Sequence, residues 1–342
     1  MMNRDLKIFK KLLIFVNFNL SKMFECLKCY QPPITNDKSM HQQTKLRDAS
    51  VEELKKLRKP PKYTLVQRIP QIFLFLAVGV IRALISLVYS LIAGTFFIIV
   101  CTFWKSIGSP ESWRRPLKLL WAALARILLF LLGIYQINYH GQPDSDARFI
   151  ISNHTCFFDG WLFLPLLPRP LDKIELLEIP CYLEMWNVFE GISVDRTRSC
   201  GMTKVLLDSA TNSNRPMIQM FPEGATTNGD YMLKFHLGAF LSDLPLQPAA
   251  IRYTLWGTTK KISHLSYFHN YPSHWIEFLC IPAITVDIEF LPTVSLKRSQ
   301  ENDPRQFADD VSLMIANFLG VPILNLTSNT IYKVPQQKKR RK

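Results

Sequence analysis

The chain has 342 residues, of which 48% are hydrophobic and 12% aromatic, so it can bury a sizeable core and is more apolar than a typical soluble enzyme. Its formal net charge of +14 favours an anionic partner such as a membrane surface or a phosphate-bearing substrate, and because it lacks helix-turn-helix, finger and RNA-binding signatures we expect no nucleic acid partner. Seven scattered cysteines, an odd number, argue against a secreted disulfide scaffold.

Residues 1–68 form a basic N-terminal region. Apolar residues recur at helical spacing between Leu6 and Leu20, which fits a short amphipathic helix on a membrane and, nearly as well, a buried helix. Cys26 and Cys29 form a lone CxxC without nearby ligand histidines, so we expect no metal site there, while palmitoylation remains open. The polar, proline-containing stretch that follows predicts a linker.

Residues 69–104 form the most apolar part of the chain, and the run from Ile69 to Phe103 carries a single charge, Arg82. As one straight helix it would measure about 50 Å, against a hydrocarbon thickness of about 30 Å. Basic residues flank both ends, which favours a cytoplasmic position for both. The sequence therefore predicts a membrane hairpin turning near Gly94 or a pair of helices dipping into one leaflet. A single tilted transmembrane span is the simpler alternative.

Residues 117–137 include a second apolar stretch, Leu119 to Ile137, again with one arginine, Arg126. A charge at the bilayer centre is costly, so we expect Arg126 to reach headgroups. The stretch therefore predicts a helix at the membrane interface, with a membrane helix as the alternative.

The stretch NHTCFFDG, Asn153 to Gly160, follows a predicted strand at Phe149–Ile151 and places His154 five residues before Asp159. A neutral imidazole can accept a proton from a substrate hydroxyl, and a carboxylate on its other ring nitrogen would fix the tautomer. Alone, a histidine and an aspartate at this spacing more often form a turn or cap. Cys156 is a competing candidate, as a nucleophile that would form an acyl-enzyme.

Further elements are predicted along the rest of the chain. They are a helix over WLFLPLL after Gly160, strands at Met217–Phe221, Ala249–Ile251 and Ile284–Phe290, and a helix at Arg305–Leu319 capped by Asp303 and ended by Gly320.

Three later stretches follow NHTCFFDG in order: GISVDRTRS (Gly191–Ser199), FPEGATTNG (Phe221–Gly229) and LQPAAIRY (Leu246–Tyr253). Together the four resemble the ordered blocks of the glycerolipid acyltransferase family, whose members move a fatty acyl group from coenzyme A to a lysophospholipid. The resemblance covers about half of the chain. It implies an α/β catalytic domain at 138–325, with a central β-sheet flanked by helices. In this chain the domain follows the predicted membrane-embedded helices and precedes a basic tail at 326–342.

The resemblance also implies roles for individual residues. His154 matches the family's general base and Asp159 its orienting partner, and direct attack of the hydroxyl on the thioester leaves Cys156 as filler. Arg196 matches a substrate-binding arginine, whereas Arg198 is better explained as a solvated loop residue. The remaining substrate-binding positions are Glu223, Gly224, Thr226, Thr227, Asn228 and Pro248, with an exposed turn carboxylate as the alternative for Glu223.

Family members that acylate lysophosphatidic acid usually carry an arginine where this chain has Thr226. The ending TTN is similar to the lysophosphatidylcholine acyltransferase branch, whose substrates carry a headgroup on the phosphate. Ala225 stands where the family commonly has a threonine, and whether this substitution lowers activity is left open by the resemblance.

The resemblance implies acyl-CoA as co-substrate with no cofactor or metal, and a lysophospholipid and the bilayer as partners. The ending KKRRK fits a solvated tail, and the other interpretations are a contact with an anionic membrane or a retrieval signal of the endoplasmic reticulum, which it resembles. We expect the protein in the endoplasmic reticulum membrane, or on a lipid droplet, with the catalytic domain facing the cytosol. The alternative is a non-catalytic membrane or lipid-droplet scaffold that kept the fold.

Overall fold

The computed structural model describes residues 46–48, 73, 75–194, 202–212, 214–262, 265, 278–296 and 303–333. The expected N-terminal amphipathic helix, the Cys26 and Cys29 pair, Arg196, Arg198 and the KKRRK ending lie outside the described residues.

The described chain alternates between helices and strands. The helices are α1 (Val80–Ser106), α2 (Glu111–Leu131), α3 (Asp159–Leu162), α4 (Pro180–Phe189), α5 (Met202–Thr211), α6 (Pro304–Leu319) and α7 (Ser328–Lys333). The strands are β1 (Leu46–Arg47), β2 (Ile134–His140), β3 (Phe149–Ser152), β4 (Arg169–Lys173), β5 (Ile192–Val194), β6 (Ile218–Met220), β7 (Met232–Leu233), β8 (Leu246–Leu255), β9 (Ile284–Phe290) and β10 (Ile323–Leu324).

Helix α1 follows a π-helical turn at Phe75–Gly79 and runs without a break through Gly94. The predicted hairpin turn near Gly94 is therefore wrong, because a single glycine costs a helix only about 1 kcal/mol and no proline lies between Gln71 and Ser109. The chain reverses later, where Gly108 and Ser109 adopt positive φ angles of 84° and 54° and Pro110 precedes α2. Helices α1 and α2 then pack against each other as an antiparallel pair.

Helix α1 has two different faces. Phe97, Cys101 and Trp104 are buried against α2 and α4, whereas a stripe on another face is exposed: Ile81, Leu84, Leu87, Val88, Leu91, Ile92, Ile99 and Phe103. Among the described residues, Leu76–Ser106 is the helical stretch long and apolar enough, by length and composition, to cross a membrane.

The second apolar stretch does not form a helix to its end at Ile137. Helix α2 stops at Leu131, because Gly133 has a φ of 102°, and β2 begins at Ile134. Arg126 donates to the carbonyl oxygens of Ile134 (3.0 Å) and Tyr135 (2.6 Å). Its guanidinium is thus bound to the backbone of β2, and the expectation that it reaches headgroups is wrong.

The α/β architecture implied by the resemblance is confirmed. A seven-stranded sheet has the order β2-β9-β8-β3-β6-β4-β5, and all neighbouring pairs are parallel except β8 with β9. Strand β3 lies in the middle and is fully buried; Phe149 and Ile151 pack on one face towards α6, and Ile150 packs on the other towards α2 and α3. A small parallel sheet, β1-β10-β7, lies beside it.

Strands β3, β6 and β8 are neighbours and parallel, with Ile151 paired to both Met220 and Pro248. The carboxyl ends of parallel strands meet at one edge, so the residues after β3 and β6 meet beside the distal half of β8. The first, third and fourth blocks thereby come together.

Other predicted elements are found with small differences. Strand β9 and the end of α6 match the expected bounds, with the Asp303 side chain accepting from the Arg305 amide and Gly320 in the left-handed conformation. The helix predicted over WLFLPLL is wrong in extent: α3 ends at Leu162, and a 3₁₀ turn and β4 follow, because prolines interrupt the stretch.

Candidate active site

The loop after β3 brings His154 and Asp159 together. His154 Nδ1 lies 2.9 Å from Asp159 Oδ2, and the side chain of His154 is 20% exposed while that of Asp159 is fully buried. The imidazole ring is therefore accessible to solvent, whereas its carboxylate partner is not. This is the arrangement in which an aspartate orients a histidine that acts on a bound substrate.

Asp159 has donors on both carboxylate oxygens. The backbone amides of Thr155 (2.6 Å) and Cys156 (2.8 Å) donate to Oδ2, and the hydroxyl of Tyr253 donates to Oδ1. Both carboxylate oxygens therefore act as acceptors, and these hydrogen bonds hold the side chain in place. We infer that the N–H group at Nδ1 of His154 donates a hydrogen bond to Asp159. This tautomer leaves Nε2 as the nitrogen that can accept a proton.

Phe221 and Thr227 further restrain His154. The Phe221 ring stacks on the imidazole with centroids 4.2 Å apart and an interplanar angle of 14°. The amide of Thr227 donates to the carbonyl oxygen of His154 at 2.8 Å. The third block thus fixes both the ring and the backbone of the first.

Glu223 is fully buried and joins two segments of backbone. Its Oε1 accepts from the His154 amide and its Oε2 from the Leu233 amide, both at 2.8 Å. Burial raises the pKa of Glu223 to about 8, although the two amide donors oppose this rise. The alternative of an exposed turn carboxylate is wrong, and the side chain acts on the backbone of the histidine.

Gly224 has a φ of +69°. A Cβ at this position would lie 2.8 Å from Ser328 Oγ and 3.0 Å from the His236 ring, which are themselves 2.8 Å apart. Glycine is therefore required at this position for two reasons: the backbone angle disfavours other residues, and a Cβ would clash with these two side chains.

The residues after Gly224 are mostly turned inward. Thr227 and Asn228 are buried, and Asn228 forms a turn with Asp230 through two hydrogen bonds of 3.0 and 3.1 Å, whereas Thr226 is half-buried. Ala225 packs in an apolar cluster with Tyr231, Leu233 and Leu324, so a threonine hydroxyl would enter an apolar site. Their contacts with substrate remain a prediction.

Pro248 is buried within β8, and its carbonyl oxygen accepts from the Leu291 amide at 2.9 Å. Its substrate-binding role stays a prediction. The same holds for Arg196, which lies outside the described residues; β5, which ends at Val194, is parallel to β4 and ends at the same edge of the sheet.

Two residues that build the site, Asn153 and Tyr253, were not predicted from the sequence. The Asn153 amide bonds both backbone groups of Ile251, donating to its oxygen at 3.0 Å and accepting from its nitrogen at 2.8 Å. Both missed residues lie inside the quoted blocks. The alternation of β8 places Ile251 and Tyr253 on one face, which was the available signal.

Cys156 is 2% exposed. Burial, and then the negative charge of Asp159, raise the pKa of its thiol well above the usual range. It is therefore a protonated thiol at neutral pH and a poor nucleophile. Among the described residues, no group of three or more His, Cys, Asp and Glu side chains is placed to hold a metal ion.

Comparison with known proteins confirms the resemblance drawn from the four blocks. Residues 136–252 match the Acyltransferase family model. The human lysophospholipid acyltransferase LPCAT4 is 30% identical over 211 residues, which are 58% of this chain and 39% of that protein. Zebrafish (Danio rerio) lysophosphatidylcholine acyltransferase 1 is 26% identical over 278 residues, covering 77% of this chain and 52% of that protein.

The chain therefore spans about half or less of the length of these relatives. The crystal structure of the 1-acyl-sn-glycerophosphate acyltransferase PlsC from Thermotoga maritima superposes with a TM-score of 0.50 at 17% identity, covering 76% of this chain and 100% of that one. The likeness shows a shared fold.

Proposed function

We propose that this chain, whose residues 136–252 match the Acyltransferase family model, transfers a fatty acyl group from acyl-CoA to the free hydroxyl of a lysophospholipid. The observation that carries this proposal is the 2.9 Å contact between His154 and a fully buried Asp159 at the end of the central strand. Relatives named as lysophosphatidylcholine acyltransferases, and Thr226 in place of an arginine, support an acceptor whose phosphate bears a headgroup.

In the proposed reaction, His154 acts as general base. The substrate hydroxyl oxygen attacks the thioester carbonyl carbon while its proton passes to Nε2 of His154. The tetrahedral intermediate then collapses, the carbon–sulfur bond breaks, and the imidazolium returns the proton to the coenzyme A sulfur. Base catalysis of this kind typically contributes about a hundredfold to ten-thousandfold.

Direct attack is favoured over an acyl-enzyme because the alternative nucleophile is unsuitable. Cys156 is buried and protonated, and its backbone amide is used to hold Asp159. A thioester is already activated, so the main tasks of the protein are to place the two substrates and to supply the base.

Contacts at both ends of α1 support a membrane position alongside the domain. Arg82, near its start, donates to the carbonyl oxygen of Ile281 and the hydroxyl of Tyr135, and Lys105, at its end, pairs with Glu184 at 2.7 Å. These ends are about 35 Å apart along the helix, comparable with a hydrocarbon thickness of about 30 Å. An upright α1 would draw the attached domain into the bilayer, so we infer that α1 lies in one leaflet with its exposed apolar face in lipid.

We propose that the catalytic domain and both termini face the cytosol, with the protein in the membrane of the endoplasmic reticulum or on a lipid droplet. In microsomes, protease added outside should then remove tags from both termini. The exposed Asn325 acceptor should stay unglycosylated. Protection of the C-terminal tag alone would contradict the placement.

Release of free coenzyme A by the purified protein, measured with a panel of lysophospholipids in mixed micelles, tests the function. Acceptor-dependent release, with formation of the diacyl product, is the expected result. Release that is absent with every acceptor, from a protein that binds micelles and is folded, would favour the non-catalytic scaffold.

A further inference from the structure

We propose that Tyr253 is a positioning residue for acyl transfer: its hydroxyl, by donating to Asp159, fixes the carboxylate that holds the catalytic histidine. The inference rests on the proposed function, since it concerns the same histidine.

The two oxygens of Asp159 are used differently. Oδ2 takes the bonds of His154 and of the Thr155 and Cys156 amides, whereas Oδ1 takes the Tyr253 hydroxyl. The torsion angle about the Cβ–Cγ bond of an aspartate covers a broad range and is only weakly restrained by the side chain itself. A donor on the second oxygen therefore prevents the carboxylate from turning away from the imidazole.

Tyr253 is itself held rigidly. It is 3% exposed, it pairs with Val286 across β8 and β9, and its carbonyl oxygen accepts from the Ile262 amide at 2.9 Å. Two residues earlier on the same strand, Ile251 is joined to Asn153 by two hydrogen bonds. The hydroxyl thus reaches Asp159 from a strand fixed to the site loop.

The Tyr253 hydroxyl remains a donor throughout the working pH range. Burial, and then the charge of Asp159, raise the pKa of Tyr253 well above its usual value. The phenol therefore stays neutral, and its hydrogen bond draws part of the negative charge of the carboxylate towards Oδ1. Without this bond, more negative charge would face the imidazole and would stabilise its protonated form.

Among the described residues, few other ionisable groups lie near Tyr253 and Asp159. Cys156 lies in the same loop and stays protonated, Glu223 approaches from the loop after β6 and bonds the His154 amide, and Lys261 lines a small cleft beside Tyr253. Cys156 also forms a side-chain hydrogen bond with Tyr253, but none of the three groups bonds Asp159 Oδ1, so Tyr253→Phe removes the side-chain donor to that oxygen.

The test compares Tyr253→Phe with Tyr139→Phe. Tyr139 donates from β2 to the carbonyl oxygen of Leu162 at 2.5 Å, so its loss removes a phenol bond from the same side of the sheet without touching Asp159. For Tyr253→Phe we expect kcat to fall about tenfold to hundredfold with both KM values within about twofold, and the acid limb of the rate profile to move to higher pH. Tyr139→Phe should leave the rate profile in place.

A second readout does not depend on turnover. Diethyl pyrocarbonate modifies neutral imidazole, so the extent of His154 modification against pH, read by peptide mass spectrometry, reports its protonation. Tyr253→Phe should move this curve to higher pH, as it moves the rate profile. An unmoved curve, or equal losses in the two phenylalanine variants, would overturn the positioning role, whereas a wild-type protein without turnover would overturn the proposed function alone.

Discussion

Replacement of Asn153 by alanine should destabilise the protein strongly, because it leaves two buried backbone groups of Ile251 without partners. Asn153 is 1% exposed, and its amide makes bonds of 2.8 and 3.0 Å to Ile251. An unpaired buried donor or acceptor costs about 1–3 kcal/mol, so the expected loss is about 2–6 kcal/mol. Domains are stable by only about 5–15 kcal/mol, so this is a large fraction of the total.

Thermal unfolding of purified protein in detergent, followed by intrinsic fluorescence, measures this loss. At about 2–4 °C per kcal/mol for a domain of this size, Asn153→Ala should lower the Tm by at least about 4 °C. The matched control is Asn138→Ala, since Asn138 is half-buried on β2 and its amide bonds other side chains: it donates to Asp287 at 2.8 Å and accepts from Gln136 at 2.9 Å. A Tm for Asn153→Ala no lower than that of Asn138→Ala would refute the reasoning.

Three further substitutions test other parts of the site. With a folded pKa of about 8 against an ordinary value of 4.5, Glu223 holds a proton that the unfolded chain loses, so its contribution to stability falls as pH rises between these values. Glu223→Gln should therefore flatten the loss of Tm between pH 5 and pH 8, and an unchanged slope would contradict this. Cys156→Ala should retain most activity, whereas a labelled acyl group trapped on Cys156 would contradict direct transfer. Arg196→Ala should raise KM for the lysophospholipid more than it lowers kcat, and an unchanged KM would end its assignment.

Local signals predicted the regular elements well. Alternation over Ile284–Phe290 and the cap and stop of α6 depend on neighbouring residues, so the structure repeats them. The turn between the two apolar helices was predicted at the wrong place, because a uniformly apolar run does not indicate where a turn lies. The residues that indicate it are Gly108, Ser109 and Pro110. Gly133 likewise marked the end of α2.

The site was only partly predictable for a related reason. His154 and Asp159 are five residues apart, so one short loop pairs them. Glu223 and Tyr253 reach the same loop from 69 and 94 residues away, and they do so because β6 and β8 flank β3 in parallel. Strand order of this kind is a property of the whole sheet, and no local pattern in the chain reports it.

The central claim is that His154 is the base for acyl transfer, and the most direct measurement is kcat/KM for His154→Ala beside His140→Ala. His140 lies 3.2 Å from Asp287 between β2 and β9, at the edge of the sheet, so it offers a matched histidine–aspartate pair outside the site. We expect His154→Ala to lose about a hundredfold to ten-thousandfold with its fold and membrane association intact, and His140→Ala to stay within about threefold of wild type. Activity of His154→Ala within about tenfold of wild type would contradict the account.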